Sequence, residues 1–184
     1  MTAAAAVEGA TAPVEQMFSA RKIAGRVRQL ADGLAAELPE RVVVLSLLKG
    51  SFIFAADLVR ALHDRGVKCR VEFLTVASYG NATESSGRLR IEGELPDDLG
   101  DKAVLLIDDI LDTGRTLKWA RDAVLEAGAS RVLTCVLLDK PERREVDVAA
   151  DYVGFTIPDR FVVGYGIDYA QQYRDLPYIG ALSE

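Results

Sequence analysis

Three carboxylates and a threonine-glycine turn stand close together in the segment VLLIDDILDTGRTL, residues 104–117. Asp108 and Asp109 end an apolar run, and Asp112 follows just before Thr113-Gly114. Carboxylates this close repel each other unless a cation or donor hydrogens lie between them. Carboxylate oxygens accept hydrogen bonds from sugar hydroxyls and bind Mg²⁺. The acidic residues therefore predict a site for a sugar diol, a divalent metal ion, or both.

The residues after the acids have the composition of a phosphate-binding turn. Residues 113–116 open a predicted helix, whose first backbone N–H groups lack partners within the helix, and Gly114 permits close approach of a ligand. Because carboxylates cannot contact phosphate directly, the two parts of the segment would hold different parts of one phosphosugar. The alternative is an ordinary helix N-terminus whose acidic residues complement the helix dipole.

The surrounding chain alternates between strand and helix patterns. Continuous apolar runs at 41–48, 103–109 and 131–139, with a further run at 69–79, predict strands of a parallel sheet. Helical spacing of apolar residues predicts helices within 19–39, 52–66 and 115–129. Ser19 is the expected N-cap and Pro39 the stop of the first helix. The third helix would bury one face and stop at Gly128; that face consists of Leu117, Ala120, Val124 and Leu125.

This alternation predicts an α/β fold, with a twisted parallel sheet flanked by helices. Ligands bind such sheets beyond the carboxyl ends of the strands, which is where residues 108–116 fall. The polar segment after residue 79 lies outside the core and includes a predicted short strand within 88–95. Residues 151–157 and 161–169 predict short strands with no helix between them, so a small irregular subregion is expected within 140–184. Residues 1–14, extending to about residue 16, form a predicted tail, and 15–184 form a single domain.

Composition limits the class of protein. The chain has 184 residues, 49% of them hydrophobic, which is enough for one core. With 22 basic and 28 acidic residues, the net charge of −6 argues against general nucleic-acid binding. No apolar run is long enough to span a membrane, and the N-terminus lacks the basic start of a secretion signal. Cys69 and Cys135 are expected to be reduced residues of a cytoplasmic protein, and the single His63 excludes a multi-histidine metal site.

The acidic segment resembles the phosphoribosyl-pyrophosphate binding signature of the type I phosphoribosyltransferases, and the flanking segments resemble the hypoxanthine-guanine branch of that family. The resemblance covers about residues 15–182 and rests on four motifs in the family's order. It implies the type I phosphoribosyltransferase fold with a C-terminal hood. It also implies a purine salvage enzyme that joins hypoxanthine or guanine to phosphoribosyl pyrophosphate with Mg²⁺. Neither a P-loop nor a GxGxxG motif is present.

The resemblance assigns roles within the acidic segment. Asp108 and Asp109 would hold the ribose hydroxyls and the metal, and either one alone could dominate. Asp112 would be the catalytic residue near N7 of the purine, where a carboxylate can take or share the proton of the base. The family more often has Glu at the first acidic position and Lys in place of arginine at the phosphate turn. The residues that would bind the 5′-phosphate are Thr113, Gly114, Arg115 and Thr116.

Two further motifs carry roles by resemblance. LSLLKGSFIF resembles the pyrophosphate loop, with a cis peptide bond before Lys49, amides of Lys49 and Gly50 directed to pyrophosphate, and Ser51 capping the next helix. VASYGNATESSG resembles the mobile catalytic loop, in which Ser78 and Tyr79 would help to exclude water from the reaction centre. On composition alone, the first is an ordinary strand-to-helix turn and the second a flexible surface loop.

The C-terminal segment resembles the hood that recognises the purine. Lys140 would donate to O6, Phe161 would stack on the ring, and the Val162 backbone would meet the Watson-Crick edge. Asp168 would approach the metal or the base, and Arg174 would contact pyrophosphate. Taken singly, Phe161 has the pattern of a core residue and Arg174 that of a solvated charge.

Two other functions are compatible with these residues. One is a xanthine-preferring phosphoribosyltransferase, which would differ in how the 2-position of the purine is met. The other is a regulatory protein that keeps the phosphoribosyl-pyrophosphate site as a sensor and binds nucleic acid, against which the acidic balance argues. The family resemblance further implies a homodimer or homotetramer.

Overall fold

The computed structural model describes residues 13–78, 89–92 and 95–182. Among the described residues between 20 and 139, the predicted alternation of strands and helices is confirmed. A short 3₁₀ helix at Pro141–Arg143 follows that region. The elements in chain order are β1 (Val14–Phe18), α1 (Ala20–Glu37), β2 (Arg41–Leu48), α2 (Phe52–His63), β3 (Lys68–Ser78), β4 (Leu89–Glu92), β5 (Ala103–Leu111), α3 (Arg115–Glu126), β6 (Arg131–Asp139), β7 (Tyr152–Thr156), β8 (Val162–Val163) and β9 (Ile179–Leu182).

A six-stranded sheet in the order β4-β3-β2-β5-β6-β7 forms the centre of the molecule. All its strands are parallel except β4, which pairs antiparallel with β3 at one edge. The central strands β2, β5 and β6 are covered on both faces, which explains their continuous apolar sequences. The predicted parallel sheet is confirmed, and its parallel order brings the carboxyl ends of β2, β3, β5 and β6 to one edge.

Each face of the sheet carries its own hydrophobic core. On one face α1 and α2 bury side chains that include Leu34 and Phe54. On the other face α3 buries Leu117 and Val124. Burial of a side chain of this size contributes about 1.5–3 kcal/mol, so the two cores hold α2 and α3 firmly against the sheet. Both helices begin at the edge where the parallel strands end.

The start of α1 and the end of α3 follow the predicted signals, but one residue of the predicted buried face of α3 is exposed. Ser19 caps α1, its hydroxyl oxygen accepting a hydrogen bond from the Lys22 amide at 3.3 Å. Gly128 has a φ of +89° just beyond the end of α3, a conformation that favours glycine. The prediction that Leu125 belongs to the buried face of α3 is wrong, because Leu125 is exposed. The buried residues of α3 are Leu117, Ala120 and Val124.

A second, three-stranded antiparallel sheet in the order β1-β9-β8 lies beside the main sheet. Residues 14–16, placed in the tail from sequence, belong to β1 and pair with β9. The segment after residue 140 also differs from expectation, because β7 does not join this small sheet. It pairs parallel with β6 and extends the main sheet.

Other sequence-based expectations concern single residues and membrane passage. Cys69 and Cys135 are both free, and Cys135 is buried. His63 is the exposed last residue of α2, as predicted. Among the described residues, no helix is both long enough and apolar enough to cross a membrane.

Candidate active site

A cleft of about 640 Å³ opens at the edge where β2, β3 and β5 end. It brings together most of the residues predicted from the acidic segment and the pyrophosphate loop. Thr75 and Gln171 also line it, although no sequence pattern pointed to them. The predicted residues that line the cleft are Lys49, Gly50, Asp108, Asp109, Asp112, Thr113, Gly114, Thr116, Asp168 and Arg174.

The two adjacent acids of β5 lie in the floor of this cleft. β5 continues beyond them to Leu111, so Asp108 and Asp109 belong to the strand itself. Burial, and then the charge of Asp109, raises the pKa of the Asp108 carboxyl well above its usual range. Burial also raises the pKa of Asp109, although hydrogen bonds from Asp108 and from backbone amides, and then the charge of Arg174, oppose that shift. Such a pair is stable as two anions only beside a cation or several donor hydrogens.

The turn after β2 approaches the acids closely. The Leu48–Lys49 peptide bond is cis, as the resemblance implied. A Cβ atom on Gly50 would overlap the carboxylate of Asp109, so only glycine fits there without a shift of that acid. Ser51 occupies the N-cap position of α2 as expected, but its side chain makes no capping hydrogen bond to the helix. Its hydroxyl contacts the Ser46 hydroxyl at 2.7 Å and donates to the Leu47 carbonyl. These two contacts hold the turn against the end of β2.

The Thr113–Thr116 turn leads from β5 into α3. Gly114 has a φ of +84° and packs against the side chains of Val148 and Arg144, so two constraints favour glycine at this position. The side chain of Arg115 is exposed and forms an ion pair with Glu145 at 2.6 Å. Arg115 does not line the cleft, in contrast to its predicted neighbours at the turn.

Asp112 is held from the side of the short 3₁₀ helix. Its Oδ1 accepts a hydrogen bond from Nε of Arg143 at 3.1 Å. The next residue, Arg144, donates to the backbone carbonyls of Leu111 and Asp112 and to the carboxylate of Asp139. Sequence reasoning missed both arginines. The only available signal was their position three and four residues after Lys140.

The predicted base-recognition residues do not line the cleft. Lys140 directly follows β6, and its amide donates to the Leu111 carbonyl at 3.0 Å, so it is one residue away from Asp112 across the sheet edge. Its side chain is buried. The Phe161 ring is 54% exposed, which contradicts the core interpretation, and meets Tyr169 edge to face at 5.3 Å. Val162 is buried in β8.

Asp168 and Arg174, which both line the cleft, form an ion pair at 2.6 Å. Arg174 also donates to the Gly166 carbonyl at 2.7 Å, so it is not the solvated charge of the simplest interpretation. Within the described ranges, no three acidic, histidine or cysteine side chains are close enough to share a metal ion. The carboxylate of Asp168 therefore pairs with Arg174 and does not form a three-carboxylate cluster with Asp108 and Asp109.

The predicted mobile loop begins at the end of β3. Tyr79 and the remainder of the predicted mobile loop up to residue 87 lie outside the described residues. Ser78 is the last residue of β3, the strand that leads from the cleft-lining Thr75 toward that loop.

Comparison with known proteins gives the same family as the motifs. The model of the phosphoribosyl transferase domain matches residues 13–170. A hypoxanthine-guanine phosphoribosyltransferase of Aquifex aeolicus is 50% identical over 156 residues, which are 84% of this chain and 86% of the relative. A hypoxanthine phosphoribosyltransferase of Escherichia coli is 42% identical over 170 residues, 91% of this chain and 94% of the relative.

Solved structures agree with this result. The hypoxanthine phosphoribosyltransferase of Trypanosoma cruzi, in a ternary complex with substrates, has a TM-score of 0.86 at 38% identity, with 94% of this chain and 96% of that one covered. A hypoxanthine-guanine phosphoribosyltransferase of Bacillus anthracis has a TM-score of 0.85 at 39% identity, with 92% and 98% covered. The predicted type I phosphoribosyltransferase fold is confirmed. The chain belongs to the phosphoribosyltransferase family, within its hypoxanthine-guanine branch.

Proposed function

We propose that this protein transfers the phosphoribosyl group of phosphoribosyl pyrophosphate to hypoxanthine or guanine, forming IMP or GMP and pyrophosphate in purine salvage. One observation carries the proposal most directly. The buried Asp108 and the partly buried Asp109 share a single cleft with the Thr113-Gly114 turn and with the Lys49-Gly50 turn. A phosphosugar that bears pyrophosphate has groups that match all three. The substrates are those that the names of the relatives give.

The acids would bind the ribose, since carboxylates accept hydrogen bonds from its hydroxyls. The amides of residues 113–116 would bind the 5′-phosphate, since they belong to the start of α3. The amides of Lys49 and Gly50 would face the pyrophosphate, together with Arg174. Charge that develops on the ribose as its C1′–O bond breaks would be stabilised by the nearby carboxylates.

The donor set fits Mg²⁺. The ion prefers oxygen ligands and is usually bound through one or two carboxylates together with substrate phosphates. Asp108 and Asp109 provide two adjacent carboxylates, one buried and one partly buried, whose mutual repulsion a divalent cation would relieve. Bound Mg²⁺ would neutralise the charge of the leaving pyrophosphate. Asp168 stays a predicted metal ligand. Its carboxylate is paired with Arg174 in this structure.

The base would occupy the space beyond Asp112. Asp112 would take or share the N7 proton, and Lys140 would donate to O6, which favours 6-oxopurines over adenine. The exposed ring of Phe161 supports a stacking role. The backbone of Val162 would meet the Watson-Crick edge. Closure of the loop that contains Ser78 and Tyr79 over the bound substrates stays a prediction.

The test is an incubation with Mg²⁺, phosphoribosyl pyrophosphate and each purine base separately, followed by chromatography of the products. We expect nucleotide from hypoxanthine and guanine and none from adenine. A larger yield from xanthine than from either would favour the xanthine-preferring alternative. If no base gives nucleotide, the protein is not this enzyme, and the non-catalytic sensor becomes the better explanation.

We further propose that the chain forms a homodimer or homotetramer through the face between α2 and β3. Phe73 is 57% exposed there. It lies near a groove of about 600 Å³ that is lined by the apolar side chains of Val59, Val67 and Val71 together with the polar side chains of Arg60, His63 and Asp64. An exposed ring beside a groove of mixed polarity suits a second copy of the same face. Phe73→Glu should give monomers in light scattering, whereas Leu125→Glu, on exposed α3 surface, should leave the assembly intact.

We also propose a cytoplasmic location. The two free cysteines support it, since thiols persist in a reducing compartment.

A further inference from the structure

Asp112 and Lys140, the residues proposed to meet N7 and O6 of the base, are joined by a chain of alternating charges. Arg143 donates to Asp112, its Nε lying 3.1 Å from Oδ1. The Nη1 of Arg143 lies 3.8 Å from Oδ2 of Asp159, and the other oxygen of Asp159 lies 3.8 Å from Nζ of Lys140. We propose that Arg143 and Asp159 are positioning residues for base recognition, an inference that rests on the function proposed above.

Asp159 balances the charge of Lys140 without occupying the hydrogen-bond donors of its ammonium group. The Lys140 side chain is only 9% exposed, and a buried ammonium group without a partner is costly. Among the described residues, Asp159 is the only acid recorded within 4.0 Å of its Nζ. A separation of 3.8 Å is too long for a hydrogen bond. The carboxylate therefore balances the charge of Lys140 and leaves its three N–H groups free for a carbonyl oxygen such as O6.

Arg143 has the complementary effect on Asp112. It occupies Oδ1 of the carboxylate through a charge-assisted hydrogen bond, and so leaves Oδ2 free for the proton on N7. About half of each side chain is exposed, so the pair contributes little to folding stability. Its expected effect is on the orientation of Asp112.

The backbone couples the two interactions. Lys140 and Arg143 are at the beginning and end of the turn that includes the 3₁₀ helix, and the Arg143 amide donates to the Lys140 carbonyl at 3.1 Å. Asp159 approaches both from the loop between β7 and β8. One carboxylate therefore sets the distance between the group that would bind O6 and the group that orients Asp112. A 6-oxopurine presents O6 and N7 on the same edge, so this distance must match the base.

The two substitutions should affect different kinetic constants. Asp159→Asn should raise the KM for hypoxanthine by about tenfold and leave the KM for phosphoribosyl pyrophosphate within about twofold, because only Lys140 loses its counter-ion. Arg143→Gln should lower kcat by about tenfold, because Asp112 loses its orientation. Arg143→Lys should recover part of the kcat, since an ammonium group can still donate to Oδ1.

The matched control is Arg160→Gln, next to Asp159, which removes an exposed ion pair with Glu15. It should leave all constants at wild-type values, and the thermal midpoints of all variants should agree. If Asp159→Asn does not fold, Asp159→Glu, which keeps the charge, should retain a near wild-type KM for hypoxanthine. The inference is overturned if the variants change both KM values alike, or if all constants stay within twofold of wild type. A wild-type protein that makes no nucleotide would instead reject the proposed function.

Discussion

Gly50 packs directly against the carboxylate of Asp109, leaving no room for a Cβ atom between the turn after β2 and the end of β5. Gly166 in turn packs against the Gly50 carbonyl, where its own Cβ would overlap the oxygen. Three segments that are distant in sequence thus meet at Gly50, which contacts the side chain of Asp109 and the backbone of Gly166. The position of Asp109 depends on this packing as much as on its own strand.

Replacing Gly50 with alanine should reduce activity without unfolding the protein. The new methyl group must displace Asp109 or the turn, and a displacement of about 1 Å at a reacting centre costs on the order of 100-fold. We expect kcat/KM for nucleotide formation to fall by about that factor, while circular dichroism at 25 °C stays unchanged. An alanine variant with near wild-type activity would contradict the close packing.

Gly25→Ala makes the same chemical change in α1, where a Cβ atom would meet nothing within 4 Å. Because glycine is costly inside a helix, we expect an increase in the free energy of unfolding of about 0.5–1 kcal/mol, measured by urea denaturation. Gly33→Ala, in the same helix, would place its Cβ 2.8 Å from the Tyr152 ring and should gain less. A Gly25→Ala variant less stable than wild type would refute the expected gain.

Asp112→Ala should lower turnover far more than substrate binding. A positioned general acid or base contributes about 10²–10⁴ in rate, and the remaining cleft still holds the phosphosugar. Steady-state kinetics should show kcat reduced by such a factor with both KM values little changed. Asp122→Ala, which removes an exposed pair with Lys118 in α3, is the control. An equal loss of turnover and of binding would remove the catalytic role from Asp112.

The main sheet could be predicted from sequence because its central strands are buried on both faces, and burial leaves an uninterrupted apolar run. β5 was predicted too short, since two acids interrupt its pattern before Ile110 and Leu111 resume it. The small sheet could not be predicted. β1 and β9 come from opposite ends of the chain, and their pairing leaves no local pattern in either one.

The candidate site, like the fold, contains residues that sequence could indicate and residues that it could not. The residues from Asp108 to Thr116 lie in one short segment, so their types and spacing together could indicate a phosphosugar site. Arg143 and Asp159 come from separate loops and meet only in the fold, as ion pairs of exposed groups do. Gln171 and Thr75 reach the cleft by tertiary packing alone. Neither the charge pairs nor these tertiary contacts follow a periodicity that sequence reasoning could detect.

Thr134→Val should destabilise the edge of the main sheet. The buried Thr134 hydroxyl donates to Oδ2 of Asp151 at 2.7 Å and accepts from the Asp151 amide at 2.9 Å, which fixes the start of β7 on β6. Valine has the same shape and removes both bonds, so we expect a loss of about 1–3 kcal/mol in the free energy of unfolding. Thr156→Val, at an exposed position of β7, should change it by less than about 0.5 kcal/mol. Equal effects of the two would show that the Asp151 contacts are dispensable.

The stability of the protein in alkali should depend on Tyr165. Its hydroxyl donates to Oδ2 of Asp57 at 2.5 Å, which ties the β8–β9 loop to α2. Burial, and then the hydrogen bond to Asp57, raises the pKa of Tyr165 well above its usual range. The folded protein therefore keeps this proton at a pH where the unfolded chain, with a tyrosine pKa of about 10, has lost it.

Because the unfolded state then binds fewer protons than the folded state, the stabilising effect of Tyr165 is fully present below about pH 10 and is lost as the pH rises above that value. Tyr165→Phe has no proton to lose, so its free energy of unfolding should fall less steeply above pH 10 than that of wild type. Urea denaturation between pH 8 and pH 11 measures both slopes. Parallel curves over that range would mean that Tyr165 ionises equally in the folded and unfolded states, in conflict with its buried hydrogen bond to Asp57.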